Sequence, residues 1–432
     1  MSAANPPSNL PSPDLPSPYM TRDHARLRRQ VRDFAAAEVA PRVKDMESAP
    51  DAVERDLAML IARQGWIGVT IPATYGGMGA GHLAKTVIIE ELSRVSGAMG
   101  AMVQASQLGV AKILHFGSEE QKKTWLPPIA AGECLPTIAV TEPGSGGHVL
   151  GMQATACRDG DDYVLDGRKV YVGNSHIGHL HGVVVRTGEG SKGLSAFLVE
   201  ADRPGLTLAP HQPSMGLHGF SFGELRMDGC RVPAANRLGA EGDGLAVAYS
   251  SSILYGRPNL TAVALGIHQA IIEETLREAQ TRHRYGGPLA DLPTIQQKLG
   301  TMQHRLMTAR LTAYHAVHLL DHGYPCDDYL INAKYYNVEA SLDSARAAME
   351  IHGAAGLRKD RPLERLLRDA FHINAPAGTC DIQLHRLAEA ALGRSPGQWS
   401  QRFAHLTCQP ADNPATTPTR SDPALNPSPT PS

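Results

Sequence analysis

The most constraining feature of this 432-residue chain is that the spacing of its apolar residues changes twice. From Thr21 to about Cys134, apolar residues recur every three or four positions, as in HARLRRQVRDFAAAEVA and LAKTVIIEELSRVS, which predicts helices. From about Pro136 to Asn236 the period shortens to two, as in YVLDGRKVYVG and GELRMDGCRV, which predicts strands. From Gly244 to about Leu392, longer helical patterns return.

Helices followed by a strand-rich segment and then by more helices argue against a Rossmann enzyme, in which strands and helices alternate. We expect a helical N-terminal domain over 19–135, a strand-rich middle domain over 136–243 and a helical C-terminal domain over 244–405. The two ends are rich in proline, and we expect disordered tails over 1–18 and 406–432.

The composition excludes several classes of partner. Lysine and arginine number 41 and aspartate and glutamate 43, so no net field draws the chain to nucleic acid or to an anionic membrane. No apolar run reaches the length of a membrane span, and the N-terminus lacks the pattern of a signal peptide, so we expect a cytoplasmic protein. The six cysteines are scattered without CxxC spacing, which favours a reduced protein over a disulfide framework or zinc site.

The glycine-rich segment TEPGSGG (Thr141 to Gly147) has several interpretations on its own. As a dinucleotide fingerprint it is weak, because strand patterns flank it and no helix follows. A glycine loop between strands can instead present backbone N–H groups to a phosphate or to a ring edge. A plain turn is the remaining interpretation.

Nine stretches, in the same order, resemble the acyl-CoA dehydrogenase flavoprotein family. The resemblance implies a mainly α fold with a β-barrel middle domain and a C-terminal four-helix bundle. It also implies FAD, an acyl thioester of coenzyme A or of a carrier protein as substrate, and a homotetramer or homodimer in which a neighbouring subunit helps to hold each flavin. The stretches are GWIGVTIPATYGG, IEELSRVSG, FGSEEQKKTWLPPIAAGE, AVTEPGSGG, DGRKVYVGN, GELRMDGCRVP, RHRYGGPLADLPTIQQKL, IHGAAGL and RPLERLLRDA.

The resemblance implies a role for individual residues. The loop residues are expected at the flavin ring and phosphates, the strand residues at one face of the ring, and an arginine and a tyrosine at the neighbour's FAD. A further segment is expected at the adenosine side of FAD. Two residues just past the tight glycine-containing turn between two predicted helices are expected at FAD again, and two more are expected at the thioester. In that order these residues are Thr141, Gly144, Gly146 and Gly147; Tyr171, Val172 and Gly173; Arg282 and Tyr285; Glu350, Ile351, His352 and Gly353; Thr379 and Asp381; Tyr255 and Arg257.

One departure from the family's pattern concerns the catalytic base. In the family a glutamate, in a loop reading roughly Tyr-Glu-Gly-Thr, removes the α-proton of the thioester, and here the loop reads Pro376-Ala377-Gly378-Thr379. Some relatives carry the glutamate on the long helix just before its arginine, and that position is Gly256 here. Alanine and glycine accept no proton, so both positions lack the carboxylate that this step requires.

Other departures lie in the same region. Gly173 stands where Thr or Ser commonly donates a hydrogen bond to the flavin, and we expect the glycine to leave room beside the ring. Gly147 and His148 replace the serine and aspartate of GAGSD, and Pro293 replaces a glutamine. Coordinated changes with the cofactor loops kept favour altered chemistry, for which molecular oxygen is a candidate reactant.

His148 is a candidate replacement base because histidine titrates near neutrality. Tyr255, His372 and Asp381 are further candidates. The histidines of NSHIGHLHG (176, 179 and 181) lack a carboxylate or cysteine partner, so we expect exposed loop residues and no metal site.

We expect an FAD-dependent oxidoreductase acting on an acyl thioester, with oxygenase-type chemistry, as a mono- or dioxygenase, in a specialised pathway. A dehydrogenase with a relocated or dispensable base is the alternative, and a catalytically silent family member is the third.

Overall fold

A computed structural model describes residues 17–394 and 397–407. The predicted order of elements is observed: helices come first, strands follow and helices return. The helices are α1 Arg22–Phe34, α2 Val43–Ser48, α3 Arg55–Ala62, α4 Gly81–Val95, α5 Gly97–Phe116, α6 Glu119–Ala130, α7 Gly244–Ser250, α8 Arg257–Thr281, α9 Pro293–Asp321, α10 Asp327–His352, α11 Pro362–His372, α12 Cys380–Ala391, α13 Trp399–Arg402 and α14 Ala404–Thr407. Within the described residues, no helix combines the length and apolarity needed to cross a membrane.

The strands form one mixed sheet and a short hairpin. In the sheet β6, β7, β3, β2, β4, β5 and β8 are neighbours in that order, and β1 pairs in parallel with β4. The register of β3 against β7 shifts between Lys169 and Val172, which is a β-bulge. The strands are β1 Pro136–Ala139, β2 Thr155–Asp159, β3 Asp162–Gly173, β4 Leu180–Arg186, β5 Leu194–Glu200, β6 Leu206–Leu208, β7 Phe222–Pro233, β8 Arg237–Leu238, β9 His283–Arg284 and β10 Gly287–Pro288.

Helix α8 is the central element of the helical part of the protein. It packs against α4, α5, α9, α10 and α11, and its polar residues are buried together with its apolar ones. His268, for example, is fully buried and forms a hydrogen bond with Ser344 of α10 at 2.7 Å. At Gly266 an added Cβ would lie 2.3 Å from the carbonyl oxygen of Glu90, so only glycine allows α4 to approach this closely.

Helix α11 ties the C-terminal helices to the other two domains. The Asp369 carboxylate accepts the backbone N–H of Leu217 at 2.7 Å, and Arg368 binds Glu47 of α2 at 2.5 Å and the carbonyl oxygen of Met215 at 2.9 Å. Asp369 is buried, and charge-assisted hydrogen bonds of this kind are stronger than neutral ones. The position of α11, and of the loop that follows it, is therefore fixed from three sides.

A short C-terminal segment, residues 397–407, packs on the start of α10. Asp327 accepts the backbone N–H groups of Trp399 at 2.7 Å and Ser400 at 2.8 Å, while its own N–H donates to Gln398 at 2.9 Å. The Phe403 ring stacks on His115 of α5, with ring centroids 4.6 Å apart. The expected disordered tails, 1–18 and 406–432, lie outside the described residues except for 17–18 and 406–407, of which the last two belong to α14. The tails and the domain boundaries stay predictions.

We expect Asp327→Ala to detach this C-terminal segment. The variant loses two hydrogen bonds to a buried carboxylate, and we expect a cost of about 2 to 3 kcal/mol in the free energy of unfolding. Thermal unfolding and limited proteolysis of the purified chain measure the effect. Asp328→Ala is the matched control, because it removes the same charge one residue later on the same helix. Equal losses in both variants would contradict the proposed anchoring.

Candidate active site

The loop between α11 and α12 is a tight turn held from both sides. Ala377 and Gly378 have φ of 56° and 92°, the left-handed region that glycine adopts easily and alanine only at a cost. Lys334 of α10 donates to the carbonyl oxygens of Asn374 at 2.8 Å and Gly378 at 2.7 Å. Gln383 of α12 donates to those of Ala377 and Gly378, both at 3.0 Å. The position of Ala377 is therefore set by a lysine and an amide.

Opposite this loop, the chain enters α8 through one turn of π-helix, Ser251–Gly256. Such turns are rare and are frequent at functional sites. A Cβ built on Gly256 would lie 3.3 Å from the Cβ of Ala377 and 3.5 Å from Cδ2 of Leu108 on α5. The structure thus brings into contact the two positions at which the family resemblance places its base. We call the space between Gly256, Ala377 and Leu108 the notch.

No carboxylate atom is among the three atoms nearest to the Cβ position of Gly256 in the described structure. The three atoms nearest to the Cβ position of Gly256 belong to Ala377, Leu108 and the carbonyl group of Ser251. Polar atoms do surround it, however. Several buried side-chain atoms on the adjoining elements have no hydrogen-bond partner among the described residues: Ser251 Oγ, Arg257 Nε, Asn259 Oδ1 and Gln383 Oε1.

Two cations lie behind the loop. Burial lowers the pKa of Arg257 to about 10 and that of Lys334 to about 8, and each of these groups disfavours the charge of the other. Among the charged groups that act on Arg257, the Asp327 carboxylate has the largest effect and favours the charged guanidinium. This carboxylate already accepts two backbone N–H groups. Arg257 is therefore placed on the α10 side of the loop, with one unpartnered N–H within the described residues.

The candidate replacement bases lie elsewhere. His148 and Asp381 are exposed. Tyr255 is buried, and its ring packs on His82 and Lys85 at 4.8 and 4.1 Å, in a cluster beneath α4. Burial raises the pKa of Tyr255, so the phenol stays protonated near neutrality. Burial lowers the pKa of His372 to about 4, which makes the imidazole a weak base.

The strand residues assigned to the flavin ring lie at the β-bulge of β3. Tyr171 has φ of 56° and is 64% exposed, and its ring stacks on Phe222 with centroids 5.4 Å apart. Val172 is buried beneath it. An exposed aromatic ring aimed outwards by a bulge provides a flat apolar surface that a flavin ring can cover.

The expectation that Gly173 leaves room beside the flavin is wrong. A Cβ at Gly173 would lie 2.8 Å from the Cβ of Ala105 on α5 and 3.1 Å from the ring of Phe220. These side chains already fill the space that a serine or threonine would occupy. The loss of a hydroxyl donor at this position remains, because glycine has no side chain to donate.

The loop residues assigned to the phosphates are open to a ligand. A Cβ at Gly144, Gly146 or Gly147 would meet no atom within 4 Å, and Thr141 is half-buried. A cavity of about 300 Å³ adjoins the loop and is lined by Glu142, Pro143, Gly144, Gly151, Gln153, Ala154, Gly167 and Arg168.

The residues assigned to the adenosine and to the neighbour's FAD meet at the end of α8. Arg282 donates to the carbonyl oxygen of His352 at 2.6 Å and pairs with Glu278 at 3.2 Å. His352 is fully buried, and both ring nitrogens lack a partner within the described part of the chain. Tyr285, at the tip of the β9–β10 hairpin, is 95% exposed with φ of 55°.

Taken together, these residues fit FAD. The glycine loop offers unblocked backbone, Tyr171 offers a ring surface and His352 offers buried polar atoms that a ligand can satisfy. Of the remaining assigned residues, Ile351 is buried beside His352, Glu350 pairs with Lys298, Gly353 ends α10, and Thr379 precedes α12.

Of the three histidines of NSHIGHLHG in the middle domain, only His179 is the exposed loop residue that the sequence predicts. His181 is fully buried on β4, and its Nδ1 lies 2.8 Å from Oγ1 of Thr137. His176 is partly buried and its Nε2 lies 2.8 Å from the carbonyl oxygen of Ala209, whereas His179 is exposed and its Nδ1 accepts the backbone N–H of Leu135 at 3.1 Å. No group of three potential ligand side chains is arranged for a metal ion among the residues described.

Sequence reasoning missed Ala105, Leu108 and Asn259. The available signal was helical spacing, because Asn259 follows Gly256 by three residues and so shares its face of α8. No comparable signal marks Leu108, since its place opposite Gly256 depends on how α5 packs against α8.

Comparison with known proteins places the chain in a family. Three sequence profiles match: Acyl-CoA dehydrogenase, N-terminal domain, over residues 21–133; middle domain, over 137–230; and C-terminal domain, over 242–392. An acyl-CoA dehydrogenase of Bacillus subtilis (strain 168) is 35% identical over 378 residues, which is 87% of this chain and 99% of the relative.

Two solved structures are also similar. The prolyl acyl carrier protein oxidase AnaB is 30% identical with a TM-score of 0.81, and the match covers 86% of this chain and 99% of AnaB. PigA with FAD and proline is 25% identical with a TM-score of 0.82, over 87% of this chain and 98% of PigA. The predicted fold class is confirmed, and the chain belongs to the acyl-CoA dehydrogenase family.

Proposed function

We propose that this protein is an FAD-dependent oxidoreductase that acts on an acyl thioester of coenzyme A or of a carrier protein without a protein carboxylate at the α-carbon. Membership in the family supports FAD and the thioester, and carrier-bound acyl groups enter because AnaB is a prolyl acyl carrier protein oxidase. The observation that carries the rest is the contact between Gly256 and Ala377, which places the family's two base positions side by side with no proton acceptor at either.

The chain's own residues bind and orient the reactants in this proposal. Bound FAD supplies hydride acceptance and, once reduced, reactivity toward oxygen. The glycine loop and Tyr171 hold the cofactor, and the loop fixed by Lys334 and Gln383 bounds the acyl group. Gly256, Ala377 and Leu108 offer no proton acceptor at the notch, so a proton leaving the α-carbon passes to a group of the substrate or to solvent.

Molecular oxygen as a co-substrate is the first form of this reaction. Two observations support it: both base positions are empty, and Gly173 offers no hydroxyl donor to the flavin. An enzyme that reduces oxygen does not depend on the desaturation step for which the family glutamate is used. In this form the product gains one oxygen atom from O₂, the other atom leaves as water, and an external two-electron donor reduces the flavin.

Desaturation of an unusually acidic substrate is the second form, and a different observation favours it. Phe220 and Ala105 fill the space beside Gly173, which leaves no room for oxygen in that direction. In addition, Arg257 and Lys334 place positive charge behind the loop, which favours negative charge developing at the notch. A substrate with an acidified α-proton needs no strong base.

We also propose a homo-oligomer, as a tetramer or dimer. The β9–β10 hairpin projects Tyr285 into solvent, and α9 exposes Met307 and Leu311 one turn apart, at 57% and 59%. Exposed apolar side chains at helical spacing are typical of a face that another helix covers. The cytoplasmic location stays a prediction.

We expect acyl thioesters to reduce or perturb the bound flavin, and oxygen to separate the two forms of the reaction. The FAD-loaded protein is mixed with a panel of acyl-CoA and acyl-pantetheine thioesters, first without oxygen and then with ¹⁸O₂. Label in the acyl product supports the oxygenase, and anaerobic bleaching with an unsaturated product supports the dehydrogenase. A protein that binds FAD but responds to no thioester is the silent family member, and this outcome refutes the proposal.

We expect Gly256→Glu to create the missing base. Gly256 has helical φ of −58°, and the nearest atoms to its Cβ lie at 3.3 Å or more, so a side chain fits with small adjustments of its neighbours. Anaerobic desaturation of straight-chain acyl-CoA, followed with an artificial electron acceptor, should rise about 100-fold or more, because a positioned general base contributes this much.

Gly256→Gln is the matched control, since it adds the same volume without a proton acceptor. Ala377→Glu provides a second test at the neighbouring position, where the backbone is already left-handed. If Gly256→Glu binds FAD and thioester but gains no activity over Gly256→Gln, the notch is not where the α-carbon binds.

A further inference from the structure

Asn259 has a buried side-chain amide in which only the nitrogen forms a hydrogen bond within the described residues. It is fully buried on α8, and its Nδ2 donates to the carbonyl oxygen of Gln104 on α5 at 3.3 Å. Its Oδ1 accepts no hydrogen bond from any residue that the structure describes. A buried acceptor without a donor costs free energy, and an apolar side chain of the same shape avoids that cost.

Asn259 lies beside the notch. Asn259 follows Gly256 by three residues and therefore lies on the same face of α8, about 5 to 6 Å away between Cβ positions. On the facing helix, Gln104 precedes Leu108 by four residues in the same way. The notch and the Gln104–Asn259 pair are thus successive positions along one seam between α5 and α8.

Apolar side chains also lie on both helices near this point. Leu260 and Val263 are buried on α8, and Leu108 and Val103 flank Gln104 on α5. An unsubstituted acyl chain that extends from the notch along this seam would leave Oδ1 of Asn259 without a donor. A chain that carries an O–H or N–H group would satisfy it.

We propose that Asn259 Oδ1 accepts a hydrogen bond from the acyl group itself, so that the substrate is a hydroxyacyl or aminoacyl thioester. The inference rests on the proposed function, because it places the acyl group at the notch. A site built around a substrate hydroxyl or amine discriminates against the analogue that lacks it, since the buried partner is then left unpaired. Asn259 is in this sense a specificity-determining residue.

The test compares binding of matched pantetheine thioesters to the FAD-loaded protein without oxygen. The probes are butanoyl, 3-hydroxybutanoyl, 4-hydroxybutanoyl and 4-aminobutanoyl pantetheine, and the dissociation constants come from flavin absorbance changes and from calorimetry. We expect at least one substituted thioester to bind about tenfold more tightly than butanoyl pantetheine, the effect of one buried hydrogen bond.

The variant Asn259→Leu has nearly the same shape and no polar atoms. We expect it to bind butanoyl pantetheine as well as the native protein or better, and to lose the preference for the substituted thioester to within about twofold. Thr261→Val is the matched control on the same helix, because the Thr261 hydroxyl is bonded to the carbonyl oxygen of Arg257 at 2.8 Å and lies on another face. It should keep the preference. Asn259→Ser, which keeps a hydroxyl, serves if the leucine variant does not fold, and we expect it to retain part of the preference.

Each outcome decides between the two proposals. Binding of butanoyl and substituted thioesters with equal affinity by the native protein overturns the role of Asn259 and leaves the proposed function standing. A preference that survives in Asn259→Leu does the same. If no thioester alters the flavin spectrum or releases heat, the proposed function fails and this inference fails with it.

Discussion

The burial of the first half of α8, from Arg257 to Gln269, on all sides is the constraint on which the rest of the structure depends. A helix surrounded by α4, α5, α9, α10 and α11 cannot shift without disturbing every domain contact that reaches it. Its approach to α4 requires glycine at position 266, and its contact with α10 includes the hydrogen bond between His268 and Ser344. Because interiors are close-packed, this helix fixes where its first turn presents Gly256. The candidate active site is therefore positioned by the core and not by a surface loop alone.

The second half of the site is fixed by polar contacts. Lys334 and Gln383 bond to three carbonyl oxygens of the loop that carries Ala377, and a backbone turn held in this way tolerates the left-handed conformation of an alanine. The scaffold that would hold a catalytic carboxylate is thus intact, although the carboxylate is absent. The hydrogen bonds that hold the loop are kept although Gly256 and Ala377 carry no proton acceptor. This combination is more consistent with altered chemistry than with loss of activity, because an inactive protein would not need the loop to be held.

The sequence predicts most of the fold because local spacing carries that information. The change in apolar period marks the three regions, while the assignment of the motifs around Thr141, Tyr171 and Ala377 to the cofactor and to the loop stays a prediction. Features that depend on packing between distant segments escape it. Phe220 fills the space beside Gly173 from 47 positions later in the chain, and buried His181 on β4 lies opposite Thr137 of the paired strand β1. The segment 397–407, anchored by Asp327, lies beyond the residues that the family profile matches. No sequence motif predicts that it packs on the start of α10.

The correction at Gly173 changes what the missing hydroxyl means. Open space beside Gly173 would have favoured access of oxygen to the flavin. Because Phe220 and Ala105 fill this space, the glycine indicates only that a hydrogen-bond donor is lost. The unpaired polar atoms on the elements that form the notch then become the more informative departure, because Ser251, Arg257, Asn259 and Gln383 each carry a buried side-chain atom without a hydrogen-bond partner among the described residues. We propose that a substrate carrying its own polar group accounts both for these unpaired atoms and for the absence of a protein base, since an amine on the acyl group can accept the α-proton and a hydroxyl or amine can pair with a buried acceptor. The two departures would then have a common cause in the chemistry of the acyl group.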